Sequence, residues 1–174
     1  MKKGLIAIVF ILLFSAAQAQ NDSIRVTLIR AFATRIANAF TQKDYATVAR
    51  YTYPKAVQGL GGREKMIERL KASMQDMEAK GVTFRSVFIG SVSKIVKAGK
   101  ELHCFVEENM VLGVKGGTLA TRSYLLGVSQ DAGKTWTFVD TAPLTTENIT
   151  KLFPAYNKEL ALPAKEKPVF TPDH

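Results

Sequence analysis

The sequence predicts an α+β fold: three N-terminal helices packed on one face of a curved antiparallel sheet of four or more strands, then an extended proline-rich tail. Three observations carry this. Apolar residues recur at helical spacing between Ser23 and Lys80. Beyond Gly81 the chain changes to long segments rich in Val, Ile, Phe and Thr, separated by short turn signals. Five of the six prolines lie from Pro143 onward. A length of 174 residues, 47% of them apolar and 22% charged, suits one ordinary globular domain with a real core. The same composition excludes disordered, collagen-like and coiled-coil classes.

The first nineteen residues read as a leader rather than as part of that domain. Lys2 and Lys3 form a basic start, Gly4 to Phe14 is an apolar run, and Ala17-Gln18-Ala19 has the small-x-small form that a signal peptidase cuts, before Gln20. The run is shorter than the roughly 20 apolar residues that a membrane span needs. The residue directly after the cut is Gln20 and not cysteine, so lipid attachment there is excluded. The product is expected to be exported, periplasmic or secreted, without a membrane span. A net charge of +9 is spread over residues of alternating sign, which describes a solvated surface, and nucleic acid is not an expected partner of an exported protein. Cys104 is alone, so no internal disulfide forms and stability must come from packing.

The elements follow in order. Ile24, Leu28, Phe32, Ile36 and Phe40 recur every four positions, giving an amphipathic helix over 23–40 with Ser23 at its start. Asp44 caps a short second helix carrying Tyr45, Val48 and Ala49, which ends near Tyr53 because Pro54 disfavours a helical residue before it. A loop runs through Gly59, Gly61 and Gly62. The third helix spans 63–80, with Met66, Ile67, Leu70, Met74 and Met77 on one face and Gly81 as its stop. Four strands are predicted over 82–96, 101–114, 118–129 and 135–140, joined by short turns and therefore antiparallel neighbours. The tail from Pro143 is extended apart from a short helix near 146–153. The domains are thus a signal peptide (1–19), an α+β domain (20–142) and a tail lying on it (143–174).

The order of elements, the Tyr-x-Pro corner Tyr51-Thr52-Tyr53-Pro54, the step Gly62-Arg63-Glu64 into the third helix and the closing strand Trp136 to Asp140 resemble the nuclear transport factor two-like (cystatin-like) superfamily, over Ile24 to Asp140. The resemblance implies a cone-like domain, here an exported bacterial member. Its bent sheet would wrap the long helix and leave an apolar pocket at the open end. That superfamily holds isomerases, cyclases and dehydratases alongside proteins without activity, so the fold does not choose a function.

Glu107 and Glu108 stand together in mid-strand, where neighbours point to opposite faces. Leu102, Cys104, Val106, Met110 and Leu112 mark the more apolar face, and Glu108 is in phase with them. Two-residue turns at Ala98-Gly99 and Gly116-Gly117 would set Glu108 opposite Ile89 and Leu125, where an acid has a raised pKa suited to proton transfer. Tyr51, Tyr53, Met66, Leu70, Met74, Glu108 and Trp136 are the candidate pocket lining, with core filling as the competing role of the helical methionines. His103, on the opposite face with Phe105, reads as a surface or interface residue. Phe105, Val111, Tyr124, Leu126 and Val128 make that face half apolar, so a two-fold dimer or the tail must cover it, and a dimer is favoured.

Ser129-x-Asp131-x-Gly133-x-Thr135-Trp136 has the Asp-box form of sialidase propellers, yet occurs once. It therefore reads as a structural tie in a hairpin. Neither a Gly-x-Ser-x-Gly elbow nor a nucleotide loop is present, and one thiol with one internal imidazole makes no zinc site. No cofactor is expected. The leading expectation is a non-catalytic exported module binding a small apolar ligand or an envelope partner. The alternatives are a cofactor-free isomerase, cyclase or dehydratase using Glu108 with Tyr53, and an interaction module acting through the outer sheet face. The mass of the exported protein should correspond to a chain starting at Gln20; a species retaining Lys2 and Lys3 would contradict the leader reading.

Overall fold

A computed structural model describes the backbone of residues 2–173 and the side chains of residues 22–173. The expected leader and its expected cleavage site lie outside the described side chains. Helix α1 (Lys2–Thr41) presents Ile29 and Ala33 to the sheet, both fully buried. Asp44 caps α2 (Tyr45–Tyr51) by accepting the Thr47 N–H at 3.0 Å. Pro54 does two things. It ends α2 and, needing no N–H in a first turn, opens α3 (Pro54–Gly59), where the sequence reading expects a loop. Gly61 and Gly62, with φ of 93° and 97°, then turn the chain into α4 (Arg63–Ala79), and Gly81 at φ 76° closes it. The three expected helices are thus α1, α2 and α4, and the extra turn comes from the proline.

The strands are β1 (Thr83–Val92), β2 (Val96–Ala98), β3 (Glu101–Val114), β4 (Gly117–Ser129), β5 (Thr137–Asp140) and β6 (Val169–Pro172). They form one antiparallel sheet in the order β1-β3-β4-β5, with β2 also on β3 and β6 also on β4. Two elements differ from expectation. The strand predicted over 82–96 is broken after Val92, where Ser93 turns inward: its Oγ accepts the Phe105 N–H at 2.8 Å and its own N–H donates to Phe105 O at 2.9 Å. The end of the tail adds β6 beside Gly117–Ala120, a seat made by glycine: a Cβ at Gly117 would lie 2.2 Å from Thr171 O.

The sheet is buried on both faces at the end of the β3–β4 pair far from its connecting turn. On the helix side Cys104, Val106, Leu125, Trp136 and Phe138 meet Ile29 and Ala33. On the other side Phe105, Leu126 and Val128 meet Tyr53, Ile149, Phe153 and Leu160, the last three belonging to the C-terminal segment with its single-turn helix α5 (Ile149–Leu152). The apolar area that motivates a dimer is therefore covered, at Phe105, Leu126 and Val128, by the chain itself. Helix α4 packs on α1 and α2 through Met66, Ile67 and Leu70.

The Asp-box is the hairpin tie the sequence suggests. Asp131 Oδ1 accepts from Lys134 N–H, Thr135 N–H and Ser129 Oγ at 3.1, 2.9 and 2.9 Å, and Oδ2 from Thr135 Oγ1 at 2.7 Å. Trp136 lies beneath, 1% exposed, its indole N–H on Gly133 O. Burial raises the Asp131 pKa, but these donors outweigh it and hold the carboxyl below its ordinary 3.8. The stability it contributes is full above that value and lost as pH falls through the lower folded one. Asp131→Ala should cost about 2 kcal/mol in urea unfolding at neutral pH, and the difference from wild type should shrink toward acid.

Candidate functional site

The pairing of β3 with β4 decides which polar groups meet. The turn between them is Lys115-Gly116, with Gly116 at φ 79°, so Val114 pairs with Gly117 and Glu108 with Ser123. The expected turn one residue later would have set Glu108 opposite Leu125; Leu125 instead faces Val106. On the other side Glu108 does lie opposite Ile89, by a route the two-residue-turn argument omits. The β2–β3 turn is Gly99-Lys100, and an irregularity in β1 between Ile89 and Val92 restores the register.

Glu108 therefore stands on the helix side of the sheet, in phase with Val106 and Met110, flanked by Ile89 and Ser123. Ser123 Oγ donates to its Oε2 at 3.3 Å. Although the residue is only half-buried, desolvation pushes the Glu108 pKa up to about 7, the Ser123 bond opposes this, and the negative Asp140 adds to it. One strand position further along the same face, Thr121 Oγ1 is buried without a partner. The group amounts to a protonatable acid and two hydroxyls on a face otherwise built from Val, Ile, Met and Leu. It can donate or accept one hydrogen bond near neutral pH.

Tyr53 is not with Glu108. It lies across the sheet, where its hydroxyl donates to Glu101 Oε1 at 2.9 Å. Gln130 Nε2 donates to the same oxygen at 2.8 Å, and His103 Nε2 meets Glu101 Oε2 at 3.0 Å. His103, expected at the surface, is 1% exposed, because Phe153 and Tyr156 of the C-terminal segment close over its ring. Of this cluster only Tyr53 is among the candidate site residues above. Its legible signal is Glu101 and His103 two apart in one strand, hence on one face; Tyr53 and Gln130 join only through the fold.

The other expected lining residues fill core. Met66 and Leu70 pack between helices with Val48 and Ala49, Met74 is buried, and Trp136 belongs to the hairpin. Tyr51 accepts from Arg35 Nη1 at 2.9 Å and sets its ring edge-on to Phe32. Burial pushes the Cys104 thiol up to about 12, which leaves it unreactive. A cavity of about 300 Å³ lies under the C-terminal segment, lined by Lys94, Phe105, Glu107, Tyr124, Leu160 and Pro163 among others. An open polar groove of about 460 Å³ runs along α1 and α2 past Arg35, Asn38 and Asp44. Glu108 lines neither. Among the described residues, no three His, Cys, Asp or Glu side chains gather as a metal cluster would, and no helix is long and apolar enough to cross a membrane.

Comparison of the sequence with protein-family models finds no match, and comparison with curated proteins finds none. A carboxyl whose folded pKa is raised contributes stability that is full below its ordinary 4.5 and lost as pH rises through about 7. Glu108→Gln removes that loss. It should stabilise the protein at about pH 8 by on the order of 2 kcal/mol and flatten the pH dependence of urea unfolding between 4.5 and about 7.

Proposed function

We propose that this chain is an exported, non-catalytic binding module of the cone-fold, nuclear transport factor two-like kind. It holds a small apolar molecule bearing one hydrogen-bonding group against the helix side of the sheet. The observation that carries the reading is Glu108 with its Ser123 partner on a half-buried apolar face beside Ile89 and Met110. A polar anchor in an apolar wall orients a ligand and selects for one polar atom at one place. The leader-like N-terminus supports export, and the order of α1, α2, α4 and the antiparallel strands supports the likeness in fold.

An enzyme of the isomerase or cyclase type is the second reading, and the raised pKa of Glu108 favours it. It lacks the hydroxyl assigned to a developing enolate, because Tyr53 is committed to Glu101 on the opposite face. A bound apolar molecule needs only the anchor that is present.

The neutral probe N-phenyl-1-naphthylamine, an aromatic body with one N–H, tests the site by its fluorescence. Wild-type protein should bind it. Glu108→Leu should weaken binding about fivefold to tenfold, the worth of one hydrogen bond, and Met110→Trp should abolish it by filling the face. Equal affinity in all three proteins would reject the site.

A further inference from the structure

We propose that His103 is the latch of an acid-opened clamp: as a neutral imidazole it holds the C-terminal segment 149–162 on the outer face of the sheet, and its protonation releases that segment. Released, the segment would uncover Phe105, Leu126 and Val128.

The hydrogen-bond network assigns the proton. Glu101 is ringed by donors, Tyr53 Oη and Gln130 Nε2 on one oxygen and His103 Nε2 on the other. An ionised carboxylate only accepts, so Nε2 carries the hydrogen and Nδ1 is left with a lone pair. Nδ1 is buried with no partner. That arrangement suits the neutral ring. A second proton would create a buried N–H without an acceptor, which costs more than leaving it in water. The ring sits in the seam between sheet and segment, with Phe153 edge-on at 5.2 Å and Tyr156 at 6.0 Å between centroids. Opening the segment would hydrate Nδ1 directly.

The polar ties of the segment to the sheet are few. Asn157 Nδ2 donates to Lys97 O at 3.1 Å, Lys94 Nζ lies 3.9 Å from Glu159 Oε2 as an exposed ion pair, Ala155 rests against Gly99 where a Cβ would approach to 2.9 Å, and α5 is a single turn. The Tyr156 hydroxyl is bonded within the segment, to Leu160 O. Its attachment therefore depends on the apolar packing of Ile149, Phe153 and Leu160, with the His103 ring under Phe153 and Tyr156 as the one titratable imidazole in that seam.

Few charges face the latch. Its own strand brings Glu101, the α2–α3 corner brings Tyr53, the end of β4 brings the neutral Gln130 and the segment brings Tyr156; opposite His103 on β2 and β4 lie Val96 and Val128. Burial raises the pKa of both phenols, Tyr156 to about 12, so neither ionises under acid or neutral conditions. Burial lowers the His103 pKa below 6.5, the Glu101 charge opposing it. The closed state thus loses stability as pH falls below 6.5. For Glu101, burial alone would raise the pKa, but its three donors hold it below 4.5, so its own loss comes at lower pH. The His103 window thus opens at 6.5 and the Glu101 window only below 4.5.

Amide hydrogen exchange of the full chain, corrected for intrinsic rates, tests this between about pH 7.5 and about pH 5.5. Protection of residues 149–162 should fall as pH drops below 6.5, by at most about tenfold per pH unit for one proton. In His103→Gln, whose amide can donate to Glu101, protection should not change over this range. A wild-type segment that does not respond, or a variant that responds equally, overturns the proposal. Should the variant not fold, proton NMR of the wild-type His103 ring decides. A midpoint below 6.5 with coupled shifts at Phe153 and Tyr156 supports the latch, and one at or above 6.5 removes it.

Discussion

Everything in this molecule is arranged about the long antiparallel pair of β3 and β4, in register from Leu102 opposite Ser129 to Val114 opposite Gly117. A strand's side chains alternate between faces, so the single turn Lys115-Gly116 determines the company of every residue along the pair. It places Ser123 rather than Leu125 beside Glu108, and so gives the acid a hydroxyl partner in place of an apolar one.

The pair also separates two polar systems that would otherwise compete. On the helix side burial desolvates Glu108, and with one weak donor to oppose this and a negative neighbour to add to it the acid drifts toward its neutral form near physiological pH. On the outer side Glu101 collects three donors and remains ionised, while His103 beside it is kept neutral by burial. Two carboxyls seven positions apart on one strand thus take opposite protonation behaviour, set by whether the donors each receives outweigh its desolvation.

Much of this architecture is visible in the chain before folding. The strands over 101–114 and 118–129 follow from β-rich runs ended by glycine turns, and the helices from apolar periodicity with Asp44 as a start and Gly81 as a stop. The hairpin held by Asp131 is legible because its donors lie within six residues and need no tertiary partner. Glu108 is legible as an inward acid because alternation is local. The break after Val92 and strand β6 are not, since the first depends on Ser93 meeting Phe105 and the second on a seat at Gly117 far away in sequence.

Local chemistry alone settles the fold class, the hairpin tie and the phase of Glu108, because each depends on neighbours a few positions apart. Tertiary structure decides the rest: Tyr53 joins Glu101, His103 goes under Phe153 and Tyr156, and the tail covers the outer face. Those outcomes are contests between distant segments for the same apolar surface. Periodicity can show that such a surface must be covered, but it cannot say which segment will cover it.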